Sequence, residues 1–154
     1  MEKPTMIQFV RRMEAYEAPL REEDTLVLPY ALRQKTRQRV RLLSGREAGI
    51  LLARGTPLRP GDRLGAETGE CIRVRAADEP LSVVAGRDPL LLMRIAYHLG
   101  NRHVPLQIEP ERLIYLHDPV LDDMVRLLGV EPIQDVGPFE PEEGAYHDRS
   151  AHVH

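Results

Sequence analysis

The sequence predicts an α+β fold, and three observations carry that prediction. The first half is a series of short apolar runs broken by turn residues, with no amphipathic helix beyond its opening dozen residues. The second half states one pattern twice: a strand, an Asp-Pro pair that opens a helix, a glycine that closes it, and another strand. Charge divides at the same place, with 15 Lys and Arg against 10 Asp and Glu in residues 1–77, and 6 against 14 in residues 78–154. Such an asymmetry marks two parts with different surfaces, and 154 residues suffice for two small domains.

In the first part, Arg33, Lys35, Arg37, Arg39 and Arg41 take every second position between residues 32 and 42, which in a strand places all five side chains on one face. Ser44-Gly45-Arg46-Glu47 then turns the chain into a hairpin partner at residues 48–53. A second hairpin flanks Glu67-Thr68-Gly69-Glu70, with Cys71-Ile72-Arg73-Val74-Arg75 alternating on its far side. Residues 54–62 form a loop by their Gly and Pro content. Residues 1–77 therefore read as a small N-terminal all-β domain. Its basic face is either a solvated edge whose charges discourage pairing or a docking surface for an acidic partner. Nucleic acid is the weaker partner, because a chain with no Trp and two Phe offers few rings for bases to stack on.

In the second part, Leu81-Ser82-Val83-Val84-Ala85 is a strand, Asp88 and Pro89 open a helix, Gly100 closes it, and Val104-Pro105-Leu106-Gln107-Ile108 resumes as strand. The pattern recurs with Leu113-Ile114-Tyr115-Leu116, Asp118 and Pro119, Gly129, and Pro132-Ile133-Gln134-Asp135-Val136. Each Asp can cap free backbone N–H groups while Pro takes the first helical position, where its missing N–H is harmless. Leu91, Leu92, Ile95 and Leu99 form one apolar stripe, and Leu121, Met124, Val125 and Leu128 the other. Two strand–helix–strand units with right-handed crossovers and both helices on one side of the sheet give a ferredoxin-like (βαββαβ) domain over residues 78–137. From residue 138 the chain turns acidic and Pro-rich without apolar periodicity, so residues 138–154 are expected to be a mobile C-terminal tail.

Composition restricts the chemistry. No run approaches the ~18 apolar residues of a membrane span and the N-terminus lacks the apolar core of a secretory signal, so a cytoplasmic setting without membrane contact is expected. The single Cys71 reads as a buried strand residue, leaving imidazole and carboxylate as the ligands of any metal site. There is no His-Glu-x-x-His, phosphate loop or nucleophile elbow, which argues against an enzyme. Asp122 and Asp123, adjacent on a helix, point different ways and read as a solvated face. All six histidines lie in the acidic second part. His103 follows a helix end at which Gly100 takes the left-handed position, in a field of helix carbonyls that favours a cation. His98 lies in the last turn of that helix and His117 at the end of a strand; each is a structural residue or a secondary ligand. His152 and His154, with His147 nearby, form a metal-binding pattern on a flexible segment.

One run is far more specific than these motifs. Tyr97-His98-Leu99-Gly100-Asn101-Arg102-His103-Val104-Pro105-Leu106-Gln107-Ile108 is followed by His117-Asp118 and Val120-Leu121-Asp122-Asp123-Met124, and then by Pro138-Phe139-Glu140-Pro141-Glu142 and Gly144-Ala145-Tyr146. Together with Asp24-Thr25-Leu26-Val27-Leu28-Pro29 and Gly45-Arg46-Glu47-Ala48-Gly49 upstream, it resembles the UreE family of urease accessory proteins, which are nickel metallochaperones. The resemblance covers nearly the whole chain. It implies that His103 lies at a homodimer interface and binds nickel with its symmetry mate and that C-terminal histidines add ligands; by the chemistry of imidazole, zinc or copper can occupy the same site. It further implies a homodimer, or a dimer of dimers, that serves the urease apoprotein together with the accessory GTPase, with the β domain as a peptide-binding-like module. Two departures stand out. The tail holds only three histidines, and Pro119 stands where some relatives carry a second histidine after the position of His117. The rival expectation is a ferredoxin-like RNA- or protein-binding module without metal transfer.

Overall fold

Strand β1 (Ile7–Arg12) runs through the middle of the N-terminal sheet, parallel to one neighbour and antiparallel to the other. The computed structural model describes residues 6–18 and 23–144, which divide between a unit ending at Ala77 and one beginning at Asp78. In the first unit β1 is joined by β2 (Asp24–Leu28), the one-turn helix α1 (Tyr30–Arg33), β3 (Arg37–Arg41), β4 (Glu47–Leu51), β5 (Arg63–Ala66) and β6 (Cys71–Ala76), with strand order β2-β6-β5-β1-β4-β3. The β3–β4 and β5–β6 hairpins form at the turns expected of them. Phe9, Leu26, Ile50, Leu64, Ile72 and Val74 fill the core between them, almost wholly removed from water.

The basic strand is shorter than its alternation suggests. Only Arg37, Arg39 and Arg41 lie in β3, all exposed on one face, and Glu47 on β4 pairs with Arg39 and Arg41. Arg33 is not on that face: it belongs to α1, where the amide groups of Leu32 and Arg33 both donate to the Pro29 carbonyl. Its side chain is buried, donating from Nη1 to the Leu28 carbonyl with the guanidinium over the Tyr30 ring. Lys35 sits in the turn after α1 rather than in the strand. Alternation of residue type cannot distinguish a strand from a helical turn followed by a strand, and the turn wins here because it satisfies the backbone groups following Pro29.

The second unit runs β7 (Asp78–Ala85), α2 (Pro89–Asn101), β8 (Gln107–Glu109), β9 (Arg112–Leu116), α3 (Pro119–Leu128) and β10 (Ile133–Pro138), with an antiparallel sheet in the order β10-β7-β9-β8. Both helices start as their sequences require. Asp88 Oδ1 accepts from the amides of Leu90 and Leu91 at 3.1 and 3.3 Å, and Asp118 Oδ1 from those of Val120 and Leu121 at 2.9 and 3.4 Å. Leu92, Ile95 and Leu99 of α2 and Leu121 and Val125 of α3 are buried with Val84, Leu113 and Tyr115 of the sheet.

The other sheet face is not bare. Register places Ile133, Val83, Ile114 and Gln107 in one row across it, opposite in direction to the helix-facing Val84 and Leu113. Residues 139–142, expected as the start of a free tail, are tied down from the β10 edge to the β8 edge. Phe139 is fully buried, the Glu140 amide donates to Gln107 Oε1 at 2.9 Å, and the Glu142 amide donates to the Leu106 carbonyl at 2.8 Å. One aromatic ring in an acidic, Pro-rich segment is enough to anchor it, since burying that ring contributes about 1.5–3 kcal/mol.

In the first unit the polar counterpart of this anchor is Glu23. Its carboxylate accepts from Arg73 Nε at 2.7 Å, from Arg63 Nε at 3.3 Å and from the Cys71 thiol at 3.2 Å, joining the start of β2 to β5 and β6. Burial opposes the charge of Glu23, but donation by Arg73, Cys71 and Arg63 outweighs it and holds the carboxyl below its ordinary value. Burial, then the facing Glu23 carboxylate, pushes the Cys71 thiol up. A carboxyl depressed in the folded state contributes stability that is complete above its unfolded pKa and is lost as pH falls through the folded one. Glu23→Gln is therefore expected to lower unfolding stability by about 1–2 kcal/mol near neutrality. The deficit relative to wild type should shrink on acidification below the carboxylate range; urea titrations at both conditions check this, and a deficit that persists in acid contradicts it.

Candidate metal centre

The turn between α2 and β8 positions an exposed ligand candidate, His103, by an unusual backbone choice. Helix α2 continues through Gly100 to Asn101, so the glycine is not the stop that sequence suggested, and it does not take the left-handed conformation. His103 takes it instead, at φ 60°, as the non-glycine residue with positive φ among the described residues. Its amide donates to the Gly100 carbonyl at 2.9 Å and the Val104 amide reaches back to the Leu99 carbonyl at 3.2 Å, the double closure of a Schellman motif. Leu99 is buried and Val104 packs against the same core, so the chain direction after the turn is fixed.

Helix α3 closes by the same pattern with a different residue. There the Gly129 amide donates to the Arg126 carbonyl, the Val130 amide to the Val125 carbonyl, and Gly129 holds the left-handed position at φ 111°. A side chain in that conformation costs roughly 1–2 kcal/mol that glycine avoids. The imidazole of His103 is thus held in solvent at the carbonyl end of a helix, where partial negative charge favours a bound cation.

The other histidines are arranged differently. His98 is exposed near the end of α2 with its ring edge-on to Tyr97. His117, just after β9, is partly buried; its Nδ1 lies 3.2 Å from Ser82 Oγ and 3.3 Å from Asp122 Oδ2. Asp122 is not on a solvated face. It is buried, and Tyr115 Oη donates to its Oδ1 at 2.6 Å. Burial, then the bond to Asp122, raises the Tyr115 hydroxyl pKa well above its ordinary value, so the phenol remains a donor. The signal for this cluster was available in spacing: His117 follows Tyr115 by two residues where extended chain runs out of a strand, which favours one side for both, and Asp122 lies in the first turn of the next helix.

Among the described residues no three His, Cys, Asp or Glu side chains converge as a complete metal-binding set, so His98, His103 and His117 are not brought together within one chain. His147, His152 and His154 lie outside the described residues. Arg37, Arg39 and Arg41 share the exposed face of β3, without Arg33 and Lys35. Among the described residues no helix is long and apolar enough to cross a membrane.

Comparison with known proteins bears on both units. The family model described as the UreE urease accessory protein N-terminal domain matches residues 6–77, and that of the UreE C-terminal domain matches residues 79–154. The urease accessory protein UreE of Escherichia coli O157:H7 is 50% identical over 151 residues, covering 97% of this chain and 96% of that protein. The protein of the same name from Citrobacter koseri is 53% identical over 135 residues, 87% of this chain and 89% of that protein. That from Alkalilimnicola ehrlichii is 56% identical over 122 residues, 79% and 75% of the two chains.

The left-handed turn makes a stability prediction of its own. His103→Gly is expected to stabilise the unit by up to about 1 kcal/mol, while the β-branched His103→Val destabilises it by a similar amount or more. Thermal unfolding of the two variants checks this, and a destabilised glycine variant would show that the imidazole itself holds the turn.

Proposed function

The chain belongs to the UreE family of urease accessory proteins, and from that premise we propose that it is a homodimeric nickel carrier that binds Ni(II) between two copies of His103 and delivers it to apo-urease with the accessory GTPase. The observation that carries this reading is the pairing of an exposed, left-handed His103 with an apolar stripe on the helix leading to it. Leu90, Met93 and Tyr97 of α2 are 60%, 62% and 68% exposed, and their spacing puts them on one helix face away from the core residues Leu92, Ile95 and Leu99. Three large apolar side chains in one exposed row suit a contact that excludes water. A two-fold axis along that row sets each residue against its own copy, so one histidine per chain supplies two nitrogen ligands.

The element order βαββαβ and the antiparallel strand order support reading the second unit as the ferredoxin-like domain that dimerises and holds the metal. The anchored segment at residues 139–142 supports a role for the tail. Glu142 is bonded to Leu106, three residues from His103, and His147 follows Glu142 by five residues, a span of at most ~18 Å. His147, His152 and His154 can then complete the coordination one ligand at a time and give the ion up the same way, with His98 and His117 as secondary ligands. Imidazole also suits zinc and copper, which compete for the same nitrogens. The protein transfers its ion without catalysing a reaction. Arg37, Arg39 and Arg41 are its docking surface for an acidic partner in the cytoplasm.

Equilibrium dialysis tests this directly. His103→Ala is expected to weaken tight nickel binding roughly a hundredfold, about 2.8 kcal/mol, without dissociating the dimer. Truncation after Tyr146 should lower affinity or stoichiometry and also leave the dimer intact. Because protons compete with metal for imidazole nitrogen, acidification should release the ion. Unchanged binding in His103→Ala, or a salt-dependent RNA complex with no nickel response, contradicts the reading.

A further inference from the structure

The buried side chains around His117 specify which of its nitrogens is available, and this goes beyond the ligand assignment on which it rests. Asp122 is 3% exposed, so its carboxylate must be satisfied within the protein. Tyr115 Oη donates to Oδ1, leaving Oδ2 to face His117 Nδ1. A carboxylate can only accept, and a lone pair on Nδ1 would set two acceptors against each other. The proton therefore belongs on Nδ1, while Ser82 Oγ, 3.2 Å away, can rotate its own hydroxyl to suit. In a neutral imidazole the lone pair must then sit on Nε2. The side chain is 27% exposed, and Nε2 has no hydrogen-bond partner among the described residues.

We propose that Asp122, held by Tyr115, is a positioning residue that locks His117 as its Nδ1-protonated tautomer and presents Nε2 as a ready nitrogen ligand for a divalent metal ion. The carboxylate–imidazole arrangement orients the ring before metal arrives. Neither Asp122 nor Tyr115 touches the ion. Asp118, the nearest other carboxylate in sequence, is occupied in capping α3.

The test uses the full chain, labelled with nitrogen-15 and free of metal, and reads the His117 ring nitrogens by long-range proton–nitrogen correlation. The wild type is expected to carry its proton on Nδ1. In Asp122→Asn the side-chain amide can donate to Nδ1, so the proton is expected on Nε2, and nickel perturbation of the His117 ring should require roughly 10–100-fold more metal. Tyr115→Phe, which keeps the carboxylate but frees it, provides the second variant should Asp122→Asn fail to fold; it is expected to give a mixture of tautomers. A wild-type His117 protonated on Nε2, or variants that keep Nδ1 protonated, overturns the proposal. The expected tautomers with a nickel response at His103 but none at His117 overturn the ligand role proposed for Nε2, whereas no nickel response at any histidine overturns the nickel-carrier reading on which it rests.

Discussion

The left-handed turn at His103 is the constraint on which the candidate centre depends. Two helices in one unit close with the same pair of backbone hydrogen bonds, and at the position where the chain must adopt positive φ one uses glycine and the other histidine. The difference costs up to about 1 kcal/mol once glycine's greater loss of backbone entropy is set against the strain, a sizeable share of the stability of a small unit. The surrounding bonds over-determine the turn: Val104 reaches back to Leu99, and both side chains are held by the core. What this secures is an imidazole at a fixed exit angle from a helix end.

Two further devices bring other groups toward that helix end. The Asp-Pro caps set where α2 and α3 begin, and the Leu99–Val104 closure sets where α2 runs out, so His98 and His103 fall on either side of that end. Phe139 and the two backbone donations after it carry the chain across the sheet to Leu106, close in sequence to the turn. In the N-terminal unit Glu23 does comparable work in polar form, gathering Arg63, Cys71 and Arg73 from two strands. The exposed arginines of β3 are left with Glu47 as a shared partner for Arg39 and Arg41, which preserves a net basic face.

Local chemistry made much of this legible. Asp88 and Pro89, and Asp118 and Pro119, specify helix starts through bonds to the next two or three residues, so no long-range information was needed. The apolar stripes followed for the same reason. Gly100 misled because a glycine near a helix end satisfies the pattern of a stop, while the helix runs one residue further and the left-handed position lies at His103, set by the packing of Leu99 and Val104. Arg33 misled because its burial depends on the Leu28 carbonyl and the Tyr30 ring, which residue alternation does not register. Asp122 was misread as solvated because its partner Tyr115 comes from a different element, and Phe139 because one buried ring leaves no periodicity.

In the proposed centre one ion is held between two chains. Native mass spectrometry of the protein loaded with less nickel than chains tests it most directly. Metal is expected to appear first as a single nickel on a dimer, with metal-free dimer as its companion. Nickel distributed singly on monomers, or on each chain of a dimer independently of the other, would contradict it.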